Sequence, residues 1–326
     1  MRLLHRARLL AGVFLSVVVL AGCAHRALLE PASTAGLPKH FELSDTPFFP
    51  QERYQCGPAA LATMLNVRGV GVVPDELVSQ VYLPGREGSL QLEMVAAVRR
   101  AGLMAVTVEP ALDTLLAEVA AGHPVLVLQN LGLDWLPRWH YAVVIGYDLA
   151  RQELVLRSGT ERRRITPFGV FINTWDRAER WGIVVLPPQT LPARARPGPW
   201  LEAASGLEAV GKWHEARVAY QIAAATWPDH SIAWIGVGNS AHALGDAAAA
   251  EQAFRMALGV DPVSAVAWNN LAYALAARQC LRSAREAARC AIMLDPGSSE
   301  ISHTLEEIES LSGEDSAVCM PLPICP

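Results

Sequence analysis

Apolar positions recur along the chain with two different periods. Over 58–67, 74–81, 90–101 and 111–121 they return at helical spacing between glycine or proline boundaries, which predicts four helices. Short runs rich in Val, Leu and Ile then take over, and 124–129, 140–147, 153–157 and 181–186 predict strands. Helices first and an antiparallel sheet second describe an α+β domain. A break follows at 189–199, where Pro192, Pro197, Gly198 and Pro199 predict a linker.

Beyond the linker the pattern repeats. Trp200, Trp234 and Trp268 are 34 residues apart, as are Pro228, Pro262 and Pro296. Ala216, Ala250 and Ala284 keep the same step, and so do Ala223, Ala257 and Ala291; Tyr220 and Phe254 match until Ala288 breaks the series. A 34-residue period with an early tryptophan, small residues at helix crossings and a closing proline resembles the tetratricopeptide repeat. The resemblance implies three helix pairs, with 298–311 as a capping helix over the last apolar face. The tryptophans are then expected between helices rather than around a ligand. The concave side of such a stack suits a peptide or protein partner.

The N-terminus reads as an address. Arg2, Arg6 and Arg8 precede the apolar run 9–22, which is 14 residues long, short for a membrane span and right for a signal peptide. Its end, Leu20-Ala21-Gly22-Cys23, resembles the lipobox of bacterial lipoproteins, which implies removal of 1–22, lipidation of Cys23 and a membrane-anchored body. Ala24 in place of the aspartate that resembles an inner-membrane retention signal implies the periplasmic face of the outer membrane. Residues 23–45 are expected to be a tether.

The chain holds 27 basic and 32 acidic residues, and loss of 1–22 removes three arginines and no acid, leaving 24 against 32 and a net −8. Lys39 and Lys212 are the only lysines, and no basic cluster interleaves with aromatics, so nucleic acid is not an expected partner. There is no phosphate-binding glycine loop and no metal-ligand spacing, so no cofactor or metal is expected. Of six cysteines, Cys280, Cys290, Cys319 and Cys325 allow three pairings, with a local Cys319–Cys325 bridge or free thiols as the expectation.

The chemistry centres on Cys56, placed just before Pro58 where a helix should begin. A helix N-terminus favours an anion, so the thiol is expected to ionise below its usual pKa of about 8.5. A nucleophile needs a base and oxyanion donors. His140 opens a predicted strand and can face the helix end; Gln51 or Gln55 can supply a side-chain donor, and the Cys56 N–H a backbone one.

The segment Gln51, Gln55-Cys56-Gly57-Pro58-Ala59-Ala60, followed 84 residues after the cysteine by His140-Tyr141-Ala142-Val143-Val144-Ile145-Gly146, resembles the papain-like bacteriocin-processing peptidases that cut double-glycine leaders. The likeness runs over about 48–188 and includes Gly122-His123-Pro124-Val125 and the stretch 171–175. It implies that Gln51, rather than Gln55, helps form the oxyanion hole. One departure stands out: where the family orients the histidine with Asp or Asn, this chain has Leu156-Arg157-Ser158-Gly159-Thr160. A hairpin flanked by Tyr147 and Gln152 would put residue 159 opposite His140 and make Ser158 or Thr160 its neighbour. A hydroxyl fixes the tautomer but stabilises an imidazolium less than a carboxylate does. Asp134 and Asp148 are substitutes, Asp148 reading as a turn residue; His123 is a rival base in a turn, and His40 lies in the tether. Trp135 and Trp139 flank the histidine loop, and 85–88 reads as a rim loop.

The sequence thus describes an α+β papain-like cysteine peptidase domain (46–188), a linker (189–199), an all-α tetratricopeptide-repeat solenoid (200–312) and a tail (313–326). The expected activity is peptide-bond cleavage by Cys56, His140, Gln51 and Ser158 on a substrate recruited by the repeats. The alternatives are a weak or inactive peptide-binding module, or a cysteine acyl or amide transferase acting on cell-wall material.

Overall fold

The computed structural model describes residues 34–50, 56–86, 88–313, 315 and 319–326. Within Met1–Leu37 it describes a turn at 34–37, closed by the Leu37 N–H donating to Thr34 O at 3.1 Å. The signal segment, Cys23, Gln51 and Gln55 lie outside the described residues. Residues Pro38–Pro326 form one compact unit.

Its first half is a seven-stranded antiparallel sheet with helices on both faces. The elements run β1 (His40–Glu42), α1 (Cys56–Val67), α2 (Pro74–Val81), β2 (Tyr82–Leu83), β3 (Gly88–Ser89), α3 (Gln91–Arg100), β4 (Met104–Thr107), α4 (Leu112–Ala120) and β5 (Val125–Asn130). They continue with β6 (Trp139–Asp148), β7 (Glu153–Ser158), β8 (Glu161–Pro167), α5 (Phe168–Asp176) and β9 (Gly182–Leu186). The sheet order is β4-β9-β5-β6-β7-β8, and β2 and β3 make a separate hairpin.

The helix α1 is buried on nearly every side, which its run of alanine and leucine allows, because it lies between the sheet and α2 and α3. Leu61, Met64 and Leu65 pack with Leu77, Met94 and Val98 against the sheet face of Leu128, Tyr141, Val143 and Ile145. The helix ends at Gly69, whose φ of +79° favours glycine, while Asn66 Nδ2 donates to Ala62 O and Val72 O.

Strand β6 is the spine of the site. Its first half pairs with β5, from Asn130↔Trp139 to Val125↔Val144, and where β5 ends β1 takes over the same edge from Glu42↔Gly146 to His40↔Asp148. A Cβ at Gly146 would lie 2.7 Å from Phe41 O, so glycine is what admits β1. This corrects the tether expected over 23–45: its last residues form a strand of the sheet, and His40 with them. The expected elements otherwise recur within one or two residues. The sequence missed β4, the charged edge strand β8 and the β2–β3 hairpin, and noted α5 only through the likeness at 171–175.

The second half pairs α6 (Pro197–Glu208) with α7 (Trp213–Thr226), α8 (Ser231–Ala243) with α9 (Ala247–Val260), and α10 (Ala265–Ala277) with α11 (Leu281–Leu294). The last described helix is α12 (Ser299–Ser310), N-capped by the Ser298 hydroxyl accepting from the Ile301 N–H. Trp200 and Trp268 are buried, their Nε1–H groups donating to Ala219 O and Pro262 O, while Trp234 is partly buried against the same core. Glycines let the helices approach: a Cβ at Gly236 would lie 2.4 Å from the Tyr220 ring, and one at Gly238 2.4 Å from that of Phe254. The expected boundary at 200 moves three residues earlier, since Pro197 opens α6.

The two halves are clamped together. Helix α6 packs on β4, and the buried Glu118 carboxylate on α4 accepts from the backbone N–H groups of Ala193 and Arg194 in the linker while His123 Nδ1 lies 2.9 Å away. Disulfides Cys280–Cys319 and Cys290–Cys325 fix the tail along α11. Both expectations for these cysteines, a local bridge or free thiols, are therefore corrected. Among the described residues no helix is long and apolar enough to cross a membrane.

Candidate active site

Cys56 is the first residue of α1, with Pro58 in the first turn as the sequence predicts. It is partly buried against the core beneath the sheet end. The backbone N–H groups of Tyr141, Gly57 and Cys56 itself favour the ionised form of its sulfur, which puts the thiol near the peptide joining His140 to Tyr141. The Tyr141 hydroxyl in turn donates to Ser89 O at 3.2 Å, tying the β2–β3 hairpin to the same place. A Cβ at Gly57 would sit 2.2 Å from Ser89 Oγ, so the residue after the nucleophile must be glycine for this hairpin to close.

His140 is the second residue of β6, opposite Gln129 on β5. Its Nε2 lies 2.8 Å from Ser158 Oγ on β7. The expected neighbour is thus found, though by a different register. The hairpin closes on Asp148↔Glu153, and a shift between Val144 and Gly146 sets Val143 opposite Arg157, which extrapolates to residue 160, not 159, opposite His140. Ser158 reaches the imidazole from the diagonal position. Buried Arg157 fixes the end of β7, donating to the carbonyls of Ser44, Thr46 and Arg162.

Burial decides the protonation states. It pushes the Cys56 thiol above its ordinary range, and the three N–H donors only partly offset it. The thiolate expected from the helix end is thereby corrected: desolvation outweighs the dipole. Burial also brings His140 down to about 4, with the Arg164 and Arg138 guanidinium charges adding to it. At neutral pH Cys56 is a thiol and His140 a neutral imidazole.

The other candidates fall away from this point. His123 is a buried partner of Glu118, and His40 opens β1. Asp148 accepts from the Ala150 and Arg151 N–H groups as a turn residue, and Asp134 sits at the tip of the 131–138 loop. The sequence passed over Tyr141, whose N–H favours the thiolate, and Asn130, whose buried Oδ1 accepts from the Gly132 and Arg138 N–H groups at 2.9 Å each. Asn130 followed by Gly132 is a turn signal that would have marked the loop as built. Among the described residues no cluster of His, Cys, Asp and Glu could hold a metal ion.

No curated protein matches the chain. Among solved structures, a C39-like peptidase from Bacillus anthracis is similar at 20% identity with a TM-score of 0.38, over 45% of this chain and 97% of that one. The first TPR domain of human RPAP3 is similar at 21% identity and a TM-score of 0.33, over 34% of this chain and 87% of that one. The Yersinia enterocolitica type III secretion chaperone SycD, in complex with a peptide of the translocator YopD, is similar at 20% identity and a TM-score of 0.32, over 34% and 89%. Residues 43–183 match the sequence model of the Peptidase_C39 like family. The part of the chain that holds Cys56 and His140 is thus similar to the Peptidase_C39 like family, and a helical region of tetratricopeptide-repeat type follows it.

Proposed function

We propose that this protein is a lipid-anchored, extracytoplasmic cysteine peptidase. The observation that carries the reading is the Cys56 thiol under the influence of the Tyr141 N–H, in the residue next to an imidazole whose Nε2 lies 2.8 Å from Ser158 Oγ. With Nε2–H donating to Ser158 Oγ, the Nδ1 lone pair is free to take the thiol proton. Because both groups rest neutral, proton transfer accompanies attack: sulfur bonds to the peptide carbonyl carbon, Nδ1 receives the proton and then delivers it to the leaving amine. Water, deprotonated by the same imidazole, hydrolyses the thioester. The Cys56 N–H and Gln51 are the proposed donors to the oxyanion.

The repeats are proposed to recruit the peptide or protein substrate, held at fixed distance by the Glu118 clamp. Cys23 is proposed as the lipid anchor on the periplasmic face of the outer membrane, and two disulfides suit an oxidising compartment. Mass spectrometry of a peptide library incubated with the purified protein tests the activity. Cleavage lost in Cys56→Ala supports the reading; cleavage unchanged in that variant, or no cleavage of any member, refutes it.

A second reading has its own observation: a hydroxyl stands where a carboxylate would charge the imidazole, and the thiol is raised. A peptidase-like module that binds peptides without cutting them fits these facts. It predicts peptide binding with no cleaved product.

A further inference from the structure

The loop between β5 and β6 is rigid and apolar. Asn130 Oδ1 fixes both its ends, and the Leu133 and Leu136 backbones exchange hydrogen bonds of 3.1 and 3.0 Å at the tip. The Asn130 carbonyl is itself held by Arg177 on the segment after α5. Yet the loop presents large apolar side chains to solvent: Leu133 is 54% exposed, Trp135 78%, Leu136 63% and Trp139 53%. Four such groups within seven residues make a patch rather than scattered surface residues, and its fixed backbone carries little ordering cost on binding.

The same loop carries Arg138, which is exposed and forms no side-chain hydrogen bond or ion pair among the described residues. Arg138 stands two residues before His140, at the end of the loop that leads into β6. Across the sheet Val144 is opposite Leu156 and Leu156 opposite Arg164, so Arg164 shares the face of His140 and Ser158, about 10 Å away from β6 by the strand spacing. Both guanidinium charges reach His140. The acids nearby are Glu161, paired with Arg164 at 3.1 Å with both side chains about half exposed, and Asp134 at the loop tip, which makes no ion pair among the described residues. An exposed pair of that kind contributes little and yields readily to another carboxylate. In a chain of net charge −5, this leaves a cationic rim beside the candidate base, His140.

We propose that Arg138 and Arg164, with Trp135, Leu136 and Trp139, select peptides that carry a carboxylate beside an apolar side chain near the bond attacked. The proposal rests on the peptidase reading for the bond attacked, but the recognition it describes needs no chemistry. Guanidinium groups pair with carboxylates in a planar, bidentate geometry, while the exposed indoles supply apolar area at low entropic cost.

The test uses the full chain carrying Cys56→Ala and a randomised library of acetylated, amidated hexapeptides, with bound members quantified by mass spectrometry. Enrichment of Glu and Asp over Gln and Asn by about fivefold is expected beside Leu, Ile or Phe. It should fall at 0.5 M salt and vanish in Arg138→Gln/Arg164→Gln, while Trp135→Ser weakens the apolar preference alone. These positions are exposed, and an unchanged melting temperature confirms the fold of each variant. Equal enrichment of acids and amides, acid preference surviving the double substitution, or no binding of any member overturns the proposal. Wild-type protein that binds with this preference but cuts nothing overturns the peptidase reading and leaves the rim standing; cleavage without acid preference does the reverse.

Discussion

Replacing Ser158 by aspartate tests how the imidazole is governed. In the native protein a neutral hydroxyl lies 2.8 Å from Nε2, and burial holds His140 down at about 4. An aspartate at 158 is one bond longer than serine, so it reaches Nε2 after a rotation about χ1. A hydrogen bond to a charged group is worth about 1.5–3 kcal/mol, and one pKa unit corresponds to about 1.4 kcal/mol, so His140 should rise by about 1–2 units, to about 5–6. A shift in that direction also favours the thiolate–imidazolium pair, and alkylation of Cys56 near pH 7 should accelerate several-fold. Histidine carbon-13 NMR titration reads the pKa, and iodoacetamide kinetics read the thiol. Ser158→Asn, which brings hydrogen-bonding capacity without charge, should leave the titration near its native position. A folded Ser158→Asp protein whose His140 titrates as in the native chain would refute the reasoning, because Ser158 would then not be the group facing Nε2.

Three further outcomes follow from the packing. Gly57→Ala drives a methyl into Ser89 and should cost about 1–3 kcal/mol, read as a lowered melting temperature together with loss of Cys56 reactivity. Reducing Cys280–Cys319 and Cys290–Cys325 should destabilise the repeats by about 2–4 kcal/mol per bridge while the peptidase-like domain keeps its own core, so thermal melts with reductant should show the repeats unfolding first. Because the folded pKa of His140 lies below the unfolded value of about 6.5, the folded state binds fewer protons; this contribution is complete above about pH 6.5 and shrinks by about 3 kcal/mol as pH falls to about 4. His140→Asn should flatten that part of the stability curve measured by urea denaturation.

The parts of the molecule written as local pattern were legible in the sequence. A 34-residue step needs no tertiary information, and neither does a helix opening at Cys56 before Pro58 or a strand opening at His140. Ser158 was also reachable, since hairpin pairing limits the neighbours of His140 to a few residues, although the hairpin closes on Asp148↔Glu153 rather than in the expected register and the shift near Val144 only partly restores it. What escaped depends on long-range packing. Strand β8 carries Arg162, Arg163 and Arg164 on an exposed edge and shows no apolar alternation; β1 is three residues long and is held by its place beside Gly146. The thiol was misread because the helix dipole is visible in sequence while the burial that overrides it is not. The cysteine pairs were misread because two bridges from one helix to one tail fix a spacing that chain distance cannot reveal.

The central claim is that Cys56 attacks with His140 as its base. Labelling of the full chain by a peptidyl acyloxymethyl ketone, followed by intact-mass and tryptic mass spectrometry, tests it without knowledge of the natural substrate. The account predicts one adduct per chain, located on Cys56, absent in Cys56→Ala and slowed by at least about a hundredfold in His140→Ala, in line with the usual contribution of a positioned base. Labelling of Cys56 at an unchanged rate in His140→Ala would contradict it.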